Sequence, residues 1–262
     1  MNSAIPAFDR DTLLNAHAHR HLRFDGACNV RDLGGLPTTD GRRTRHGVAY
    51  RADSLARLSE ADLARLAALA VRTVVDLRTP EECARAPDRL PAGHDLTLHN
   101  PGFVPRGNHE MFARVIDGSY DAEETVASMI RQYRLLALEH LAEFRVLVSA
   151  LLDAGRPPLL FHCASGKDRT GIAAAIVLLA VDVPRASVIE DYVISDFQRP
   201  PVDAFQGPPT PAVERVLAAD PRYLEAALDA MVAEFGTIDT YLSAGLGLDT
   251  DSRRHLRNLL VA

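Results

Sequence analysis

Apolar and polar residues along the chain follow two patterns in turn, one typical of strands and one typical of helices. Apolar residues recur at helical spacing over residues 60–70, and Ser59 is a good N-cap for that helix. The β-branched run at residues 71–77 predicts a buried strand. Thr79 and Pro80 then predict the start of a short helix, because proline is favoured at the first helical position.

The second half of the chain repeats this alternation. Residues 123–155 have helical periodicity, in more than one segment, and the apolar run at residues 159–163 predicts a second buried strand. Further helices are predicted at residues 169–180, 184–194 and 220–261. Strands that alternate with helices predict an α/β fold, with a mostly parallel central sheet flanked by helices and extra helices at the C-terminus.

The segments between these elements are predicted to be loosely organised. Residues 1–22 carry few apolar side chains and are expected to form a loosely held lead-in. Residues 88–122 are rich in Pro, Gly, His and Asp and are predicted to be a long loop. Long loops often act as lids, so residues 103–135 and 197–220 are candidate lids over a binding site. The whole chain, residues 1–262, is expected to form one domain.

Composition restricts the class of protein. The chain has 262 residues, of which 24% are charged and 47% are hydrophobic, as in soluble globular proteins. Its formal net charge of −6 argues against non-specific nucleic-acid binding. No apolar stretch approaches the roughly 20 residues of a membrane span, and the N-terminus has no apolar core of signal-peptide length. We therefore expect no integral membrane segment, and a protein that is cytoplasmic or exported without a conventional signal peptide.

The chain contains three cysteines, a number that is small and odd for a disulfide scaffold. Cys28 and Cys83 are expected to be buried small hydrophobes with reduced thiols. Cys163, in contrast, ends the second predicted strand, and in parallel sheets ligands bind at the carboxyl ends of strands. Close to it lies Lys167, the only lysine beside 28 arginines, which favours a specific role for this lysine.

The candidate catalytic motif is HCASGKDRTG, residues 162–171. It follows the predicted apolar strand and begins a predicted apolar helix. A loop in that position can present successive backbone N–H groups to an anion, and the helix dipole reinforces the attraction. Glycine at position 166 permits the close backbone approach that such a cradle needs. We expect a phosphate group to be held by Cys163, Ala164, Ser165, Gly166, Lys167, Asp168 and Arg169.

Within that cradle the residue types predict a nucleophilic phosphoryl transfer. Cys163 would lie in a positive field that favours the thiolate at neutral pH. Arg169 can grip two phosphate oxygens and can hold them more tightly in the planar transition state. Thr170 can donate to the thiolate or to a water, and His162 can orient the loop. The predicted reaction is a two-step hydrolysis through a phosphocysteine that needs no metal and no other cofactor.

HCASGKDRTG resembles the signature of the cysteine-dependent protein tyrosine phosphatases, H-C-x5-R-[ST]-G, and is closer to the bacterial enzymes related to the mycobacterial secreted phosphatase B. NVRDLGG from Asn29, YRAD from Tyr50 and VDLR from Val75 also match, so the resemblance spans roughly residues 22–197. It implies dual or triple specificity, for phosphotyrosine, phosphoserine or phosphothreonine, and sometimes phosphoinositides. It also associates a lysine like Lys167 with phosphoinositide headgroups.

The identity of the general acid is left open by the sequence. The chain has no tryptophan, so the Trp-Pro-Asp loop of the eukaryotic-type enzymes is absent. Asp168 lies inside the loop, and Asp76 follows a strand and can lie at the same sheet edge. The resemblance favours these two equally as the proton donor that the leaving group needs. Asp117 and Asp121 are expected to cap turns instead.

Two further groups of residues have a structural and a functional interpretation. Arg31 and Asp32 are expected to form a buried pair that holds the loop. His17, His19 and His21 could bind a metal only if a fourth ligand converged on them, so we expect a solvated tail.

The sequence therefore predicts an enzyme that hydrolyses phosphomonoesters without a metal, with phosphotyrosine in proteins as the favoured substrate. A phosphoinositide or inositol-phosphate phosphatase is the alternative, since Lys167 suits a polyanion. A phosphate-binding module without turnover is less favoured, because all the chemical residues are present. A sulfur-transfer enzyme is also less favoured, because its chemistry does not require the trailing Arg-Thr-Gly.

Overall fold

A five-stranded sheet lies at the centre of the computed structural model, which describes residues 8–92, 95–153, 157–198 and 209–262. The strands are β1 (Arg31–Asp32), β2 (Ala49–Ala52), β3 (Thr73–Asp76), β4 (Thr97–His99) and β5 (Leu159–His162). Their order across the sheet is β1-β2-β5-β3-β4. Only β1 runs antiparallel to its neighbour, so the expectation of a mostly parallel sheet is confirmed.

The described α-helices pack around the sheet. They are α1 (Arg10–His17), α2 (Glu60–Ala68), α3 (Pro80–Arg85), α4 (Asn108–Ile116), α5 (Ala122–Glu139), α6 (Leu141–Leu152), α7 (Asp168–Ala180), α8 (Arg185–Phe197), α9 (Pro211–Leu217), α10 (Pro221–Phe235), α11 (Ile238–Thr240) and α12 (Thr250–Leu260). Capping boxes at Ser59, Thr79 and Asp121 begin α2, α3 and α5. None of the helices, as far as they are described, is long and apolar enough to cross a bilayer.

The strand register brings three chain segments together at one edge of the sheet. His162 of β5 pairs with Ala52 of β2 on one side and with Asp76 of β3 on the other. All three strands end at these residues, and they run parallel. Cys163 therefore emerges at the carboxyl edge, between the ends of two neighbouring strands, as the sequence predicts.

Successive residues of β5 face opposite sides of the sheet and enter two separate apolar clusters. Leu159 and Phe161 belong to the larger cluster, which includes buried residues of α5 to α8, α10 and α12. Leu160 belongs to the smaller cluster, together with Leu66 of α2. This two-residue period is that of a strand buried on both faces, and it places helices on both sides of the sheet. The predicted α/β fold with additional C-terminal helices is confirmed.

The segment 88–122 is more ordered than its composition predicts. It contains β4 and α4, so the expectation of a continuous loop is wrong. Phe103, Met111 and Val115 are buried and join the larger apolar cluster. These three apolar residues are spread over thirteen positions among Pro, Gly and His residues. The sequence therefore shows little helical or strand periodicity in this segment.

Residues 8–22 differ from the expected loose lead-in, whereas residues 1–7 of that segment lie outside the described residues. Asp9 caps α1 by accepting a hydrogen bond from the Thr12 amide at 2.8 Å, and Leu13 of α1 is buried. Arg20, just beyond α1, is fully buried and its guanidinium bonds to Asp191 of α8. A buried ion pair, which composition cannot reveal, therefore holds this polar segment against the fold.

The two candidate lids lie in different kinds of structure. Residues 103–135 include α4 and most of α5, both packed against the larger apolar cluster. Of residues 197–220, positions 199–208 lie outside the described residues, and the rest contains α9. Movement of either segment over the site stays a prediction.

Candidate active site

The loop that joins β5 to α7 packs closely against the end of β2. Gly166 has a φ of +67°, a conformation that L-residues with a side chain rarely adopt. A Cβ there would lie 2.7 Å from the Ala52 carbonyl oxygen and 2.8 Å from the Asp53 amide nitrogen. The Ser54 amide donates to the Ala164 carbonyl at 3.1 Å. Only glycine fits at position 166, because a side chain there would push the loop away from the end of β2.

Side chains from NVRDLGG and YRAD, two of the motifs that carry the family resemblance, bond to the carbonyl groups of this loop. Asn29 Nδ2 donates to the carbonyls of Ser165 and Gly166 at 3.2 Å and 3.1 Å. Arg51 Nη2 donates to the Gly166 carbonyl at 2.7 Å. Asp53 in turn accepts from the Asn29 amide at 3.0 Å, which fixes the segment that carries Asn29. The loop carbonyls are therefore bonded to the scaffold.

The amide groups of the same loop have no such partners. Within the described residues, no backbone N–H of residues 164–167 donates to another protein group. The loop also precedes the N-terminus of α7, whose first-turn amides carry partial positive charge. This arrangement can receive an anion, as the motif predicts.

Arg169 is fixed beside the buried Cys163 by a two-pronged ion pair. Its Nη1 lies 2.6 Å from Glu82 Oε2 and its Nη2 lies 2.9 Å from Glu82 Oε1, while Nη1 also donates to the Leu77 carbonyl at 3.0 Å. Burial alone would lower the pKa of Arg169, but Glu82 and the charge of Cys163 raise it above its ordinary value. The cation is therefore permanent and its orientation is fixed.

Glu82 belongs to the site through its ion pair with Arg169, although no motif in the sequence points to it. It is the third residue of α3, and its Oε2 accepts from the Thr79 amide at 2.7 Å, completing the capping box. The sequence signal for the cap was present, but nothing local indicates that the same carboxylate reaches Arg169. Burial alone would raise the pKa of Glu82, and the Arg169 guanidinium lowers it below its ordinary value.

We expect Glu82→Gln to lower kcat about tenfold, because the amide keeps the helix cap but loses the charge that orients Arg169. Steady-state phosphate release measures this. Glu81→Gln is the matched control, since Glu81 is the exposed neighbour in the same turn. Equal activity of the two variants would show that Arg169 needs no orienting carboxylate.

The contacts of Asp76 argue against its role as the general acid. Arg78 donates to it from Nε at 2.9 Å and from Nη2 at 2.7 Å, and Cys83 Sγ lies 3.1 Å from its Oδ2. Burial alone would raise the pKa of Asp76, but Arg78 and His162 lower it to about 2. Its burial and its ion pair with Arg78 favour a structural role for Asp76, and the choice of general acid stays a prediction.

Asp76, Asp88 and His162 form the group of described residues whose ligand atoms lie close enough together to hold a metal ion. His162 Nε2 lies 3.0 Å from Asp88 Oδ2, and Arg78 Nη2 donates to Asp88 Oδ1 at 2.7 Å. Because Arg78 also pairs with Asp76, a guanidinium already balances both carboxylates, which does not favour a metal. His162 is buried, and its Nδ1 lies 3.3 Å from the Cys163 carbonyl oxygen, so support of the loop stays the predicted role of this residue.

Asp168 is the carboxylate that the loop itself supplies. It is the first residue of α7, and its side chain is 31% exposed. Tyr133 of α5 donates to its Oδ1 at 2.6 Å, and Lys167 Nζ lies 3.3 Å from the same oxygen. Of the two candidate acids, Asp168 alone lies where the loop meets α7 and has a partly exposed side chain.

The ammonium of Lys167 is directed to backbone oxygens and not to the open side of the loop. Lys167 is buried, and its Nζ donates to the carbonyls of Val216, in α9, and Ala218, the latter at 3.1 Å. The only lysine of the chain thus connects the loop between β5 and α7 to the C-terminal end of α9. Thr170, by contrast, has a buried hydroxyl without a hydrogen-bond partner among the described residues.

Behind the loop, three buried arginines surround one carboxylate. Arg20, Arg31 and Arg51 all bond to Asp191 of α8. Arg31 therefore pairs with Asp191 and not with Asp32, which corrects the expected pair. Asp32 instead accepts hydrogen bonds from backbone amides of its own neighbourhood. Because Arg51 also bonds the loop, this cluster connects α8 to the site.

The remaining sequence candidates lie in structural roles. Asp117 ends α4 and accepts from the Ser119 amide, and Asp121 caps α5, so both cap turns as predicted. The expectation that the other two cysteines are buried is wrong, since Cys28 is exposed and Cys83 is half-buried.

Comparisons with known proteins find relatives over most of the chain. The sequence model of the tyrosine phosphatase family matches residues 22–262. A protein of Cupriavidus necator assigned to the tyrosine-protein phosphatases is 33% identical over 253 residues, which cover 90% of this chain and 88% of that protein. The triple specificity protein phosphatase PtpB of Mycobacterium tuberculosis is 32% identical over 268 residues, which cover 87% of this chain and 95% of PtpB.

Among solved structures, the core catalytic domain of the PP-IP phosphatase SIW14 from S. cerevisiae aligns with 76% of this chain and 94% of its own, at 13% identity and a TM-score of 0.35. The family match over most of the sequence and two relatives above 30% identity show that this chain belongs to the tyrosine phosphatase family.

Proposed function

We propose that the protein hydrolyses phosphomonoesters through a phosphocysteine formed on Cys163. The observation that carries this proposal is the loop itself, in which unpaired amides surround a buried cysteine and Glu82 holds Arg169 beside it. The loop and Arg169 bind the three non-bridging phosphate oxygens, whose charge they stabilise as the phosphoryl group becomes planar.

The reaction proceeds in two displacements. In the first, the Cys163 thiolate attacks phosphorus, an S–P bond forms, and the bond to the leaving oxygen breaks as that oxygen takes a proton from Asp168. In the second, water attacks the phosphocysteine, Asp168 accepts the proton of that water, and inorganic phosphate leaves with regeneration of the thiolate. The same carboxyl group thus serves first as acid and then as base.

Asp168 is the proton donor in this proposal because it lies in the loop and is open to solvent. Asp76 is buried and paired with Arg78, so in this proposal it fixes the sheet edge behind Cys163. Thr170 is proposed to assist the thiolate, which is consistent with its buried hydroxyl having no partner among the described residues.

The favoured substrate class is phosphotyrosine in proteins, with dual or broader specificity. The relative PtpB is named a triple specificity protein phosphatase, which supports activity on more than one phosphorylated side chain. A phosphoinositide or inositol phosphate is the second candidate, and it would need an extra cation for its additional phosphates. The engagement of the Lys167 ammonium by backbone carbonyls and Asp168 favours the monoester substrate over that polyanion.

A substrate panel tests this proposal. In buffer containing EDTA, we expect phosphate release from a phosphotyrosine peptide to be faster than from a phosphoserine peptide or a phosphoinositide. EDTA is expected to leave each rate unchanged, because the mechanism uses no metal. A rate restored only by added divalent cation would contradict the thiolate mechanism, and fastest release from the phosphoinositide would reverse the assignment of substrate.

A further inference from the structure

We propose that Tyr133, supported by Tyr192, is a positioning residue that holds Asp168 in the orientation needed for proton transfer to the leaving group. This inference rests on the proposed function, in which Asp168 is the proton donor. It adds two residues from outside the sequence motif, one from α5 and one from α8.

The first observation is a chain of short hydrogen bonds that ends on Asp168. The Tyr133 hydroxyl donates to Asp168 Oδ1 at 2.6 Å, and the Tyr192 hydroxyl lies 2.6 Å from the Tyr133 hydroxyl. A phenol has one proton to donate, and Tyr133 uses it on Asp168. The bond between the two phenols must therefore be donated by Tyr192, so the chain runs from Tyr192 through Tyr133 to the carboxylate.

The second observation concerns which carboxylate oxygen is used. The hydroxyl of Tyr133 and the ammonium of Lys167 both approach Oδ1 of Asp168. Among the described residues, no hydrogen bond to Oδ2 is found. The carboxyl group is thus held through one oxygen, and the other is left to carry the proton that the leaving group receives.

The third observation explains how the two phenols reach this position. A Cβ at Gly171 would lie 2.8 Å from Tyr192 Cδ2 and 3.1 Å from Cε2. The last glycine of HCASGKDRTG therefore allows the Tyr192 ring to lie against α7. The Tyr133 ring packs edge-on to Tyr192, with 5.9 Å between ring centroids, and 5.6 Å from the ring of Tyr223.

Burial keeps both phenols in the form that can donate. Tyr133 and Tyr192 are fully buried, and burial together with the Asp168 charge raises the pKa of each well above its usual value. Because both rings are enclosed on all sides, they cannot rotate away from the carboxylate without disturbing the core. A preorganised support of this kind costs no reorganisation when the proton moves.

The test is the dependence of the rate on the leaving group. A good aryl leaving group, as in p-nitrophenyl phosphate, needs little proton donation, whereas the alkyl oxygen of a phosphoserine peptide needs it fully. We expect Tyr133→Phe to lower kcat about tenfold for the phosphoserine peptide and less than about twofold for p-nitrophenyl phosphate, with KM unchanged. Tyr192→Phe is expected to give a smaller loss with the same selectivity.

The matched control is Tyr241→Phe, which removes another buried phenol. Tyr241 donates to the Ala137 carbonyl of α5 at 2.8 Å and does not contact Asp168. Its loss is expected to change both rates equally. Thermal unfolding of each variant shows which of them fold, and Tyr192→Phe carries the test if Tyr133→Phe does not fold.

Asp168→Asn in the same assay tests the acid role of Asp168 separately from the positioning role of Tyr133. If its loss is selective for the phosphoserine peptide and that of Tyr133→Phe is not, the inference is overturned while the proposed acid stands. If Asp168→Asn shows no selectivity, both fail. We expect selectivity in each single variant, and we expect Tyr133→Phe to add no further loss in the Asp168→Asn background.

Discussion

Replacing Cys163 with serine is expected to abolish turnover, with kcat at least about 10⁴-fold lower than in the unchanged protein. A serine hydroxyl stays protonated at neutral pH, and it is a far weaker nucleophile than a thiolate. The loop amides and Arg169 do not change in this variant. Affinity for phosphate is therefore expected to stay within a few-fold of the original value.

Phosphate release from a phosphotyrosine peptide measures the first effect, and calorimetric titration with inorganic phosphate measures the second. Cys28→Ser is the control, because Cys28 is exposed and its thiol lies outside the loop. We expect that control to retain full activity. Residual turnover of Cys163→Ser above about one per cent of the original, after removal of contaminating phosphatase, would show that the thiolate is not the nucleophile.

The second large effect is on stability, and it arises from the buried ion cluster behind the loop. Asp191→Asn is expected to lower the free energy of unfolding by about 3–5 kcal/mol, because it leaves buried guanidinium groups without a counter-charge. Burial alone would raise the pKa of Asp191, but Arg31, Arg20 and Arg51 lower it well below its ordinary value. The stabilisation is therefore fully present at neutral pH, and it is lost only as the pH falls below the ordinary aspartate range.

Urea unfolding at neutral pH measures this loss, with Glu190→Gln as the control. Glu190 is the preceding residue and its side chain is 41% exposed, so its replacement should cost less than about 0.5 kcal/mol. Arg20→Met gives a second comparison. Because Asp191 would keep two guanidinium partners, the loss in the free energy of unfolding should be clearly smaller than in Asp191→Asn. If Arg20→Met lowers the free energy of unfolding as much as Asp191→Asn does, then Asp191 does not stabilise the fold by offsetting excess buried positive charge.

The parts of the fold that depend on local patterns could be predicted from the sequence. The apolar run that forms β5 and the capped start of α2 are determined by neighbouring residues. Arg20 could not be placed in the same way, because its partner Asp191 lies 171 positions along the chain. Similarly, α4 is ordered by a few apolar contacts with the core, which a polar composition conceals.

The residues of the site also fall into those that a local pattern indicates and those that distant parts of the chain supply. Cys163, Asp168 and Arg169 lie within one short run of sequence from the end of β5 to the start of α7, so their spacing alone predicts a phosphate-binding cradle. Glu82 and Tyr133 reach that loop from α3 and α5, and no spacing within the motif points to them. The ion pair between Asp76 and Arg78, which favours Asp168 as the proposed acid, is likewise visible only in the folded chain.

Direct detection of the phosphocysteine is the measurement that tests the central claim most closely. The protein is mixed with a phosphotyrosine peptide, quenched with denaturant during turnover and analysed by peptide mass spectrometry. We expect a mass increment of one HPO₃ group on the peptide that contains Cys163, larger in Asp168→Asn, where hydrolysis of the intermediate is slowed, and absent in Cys163→Ser. Phosphate release without this adduct, or an adduct on a different residue, would contradict the mechanism.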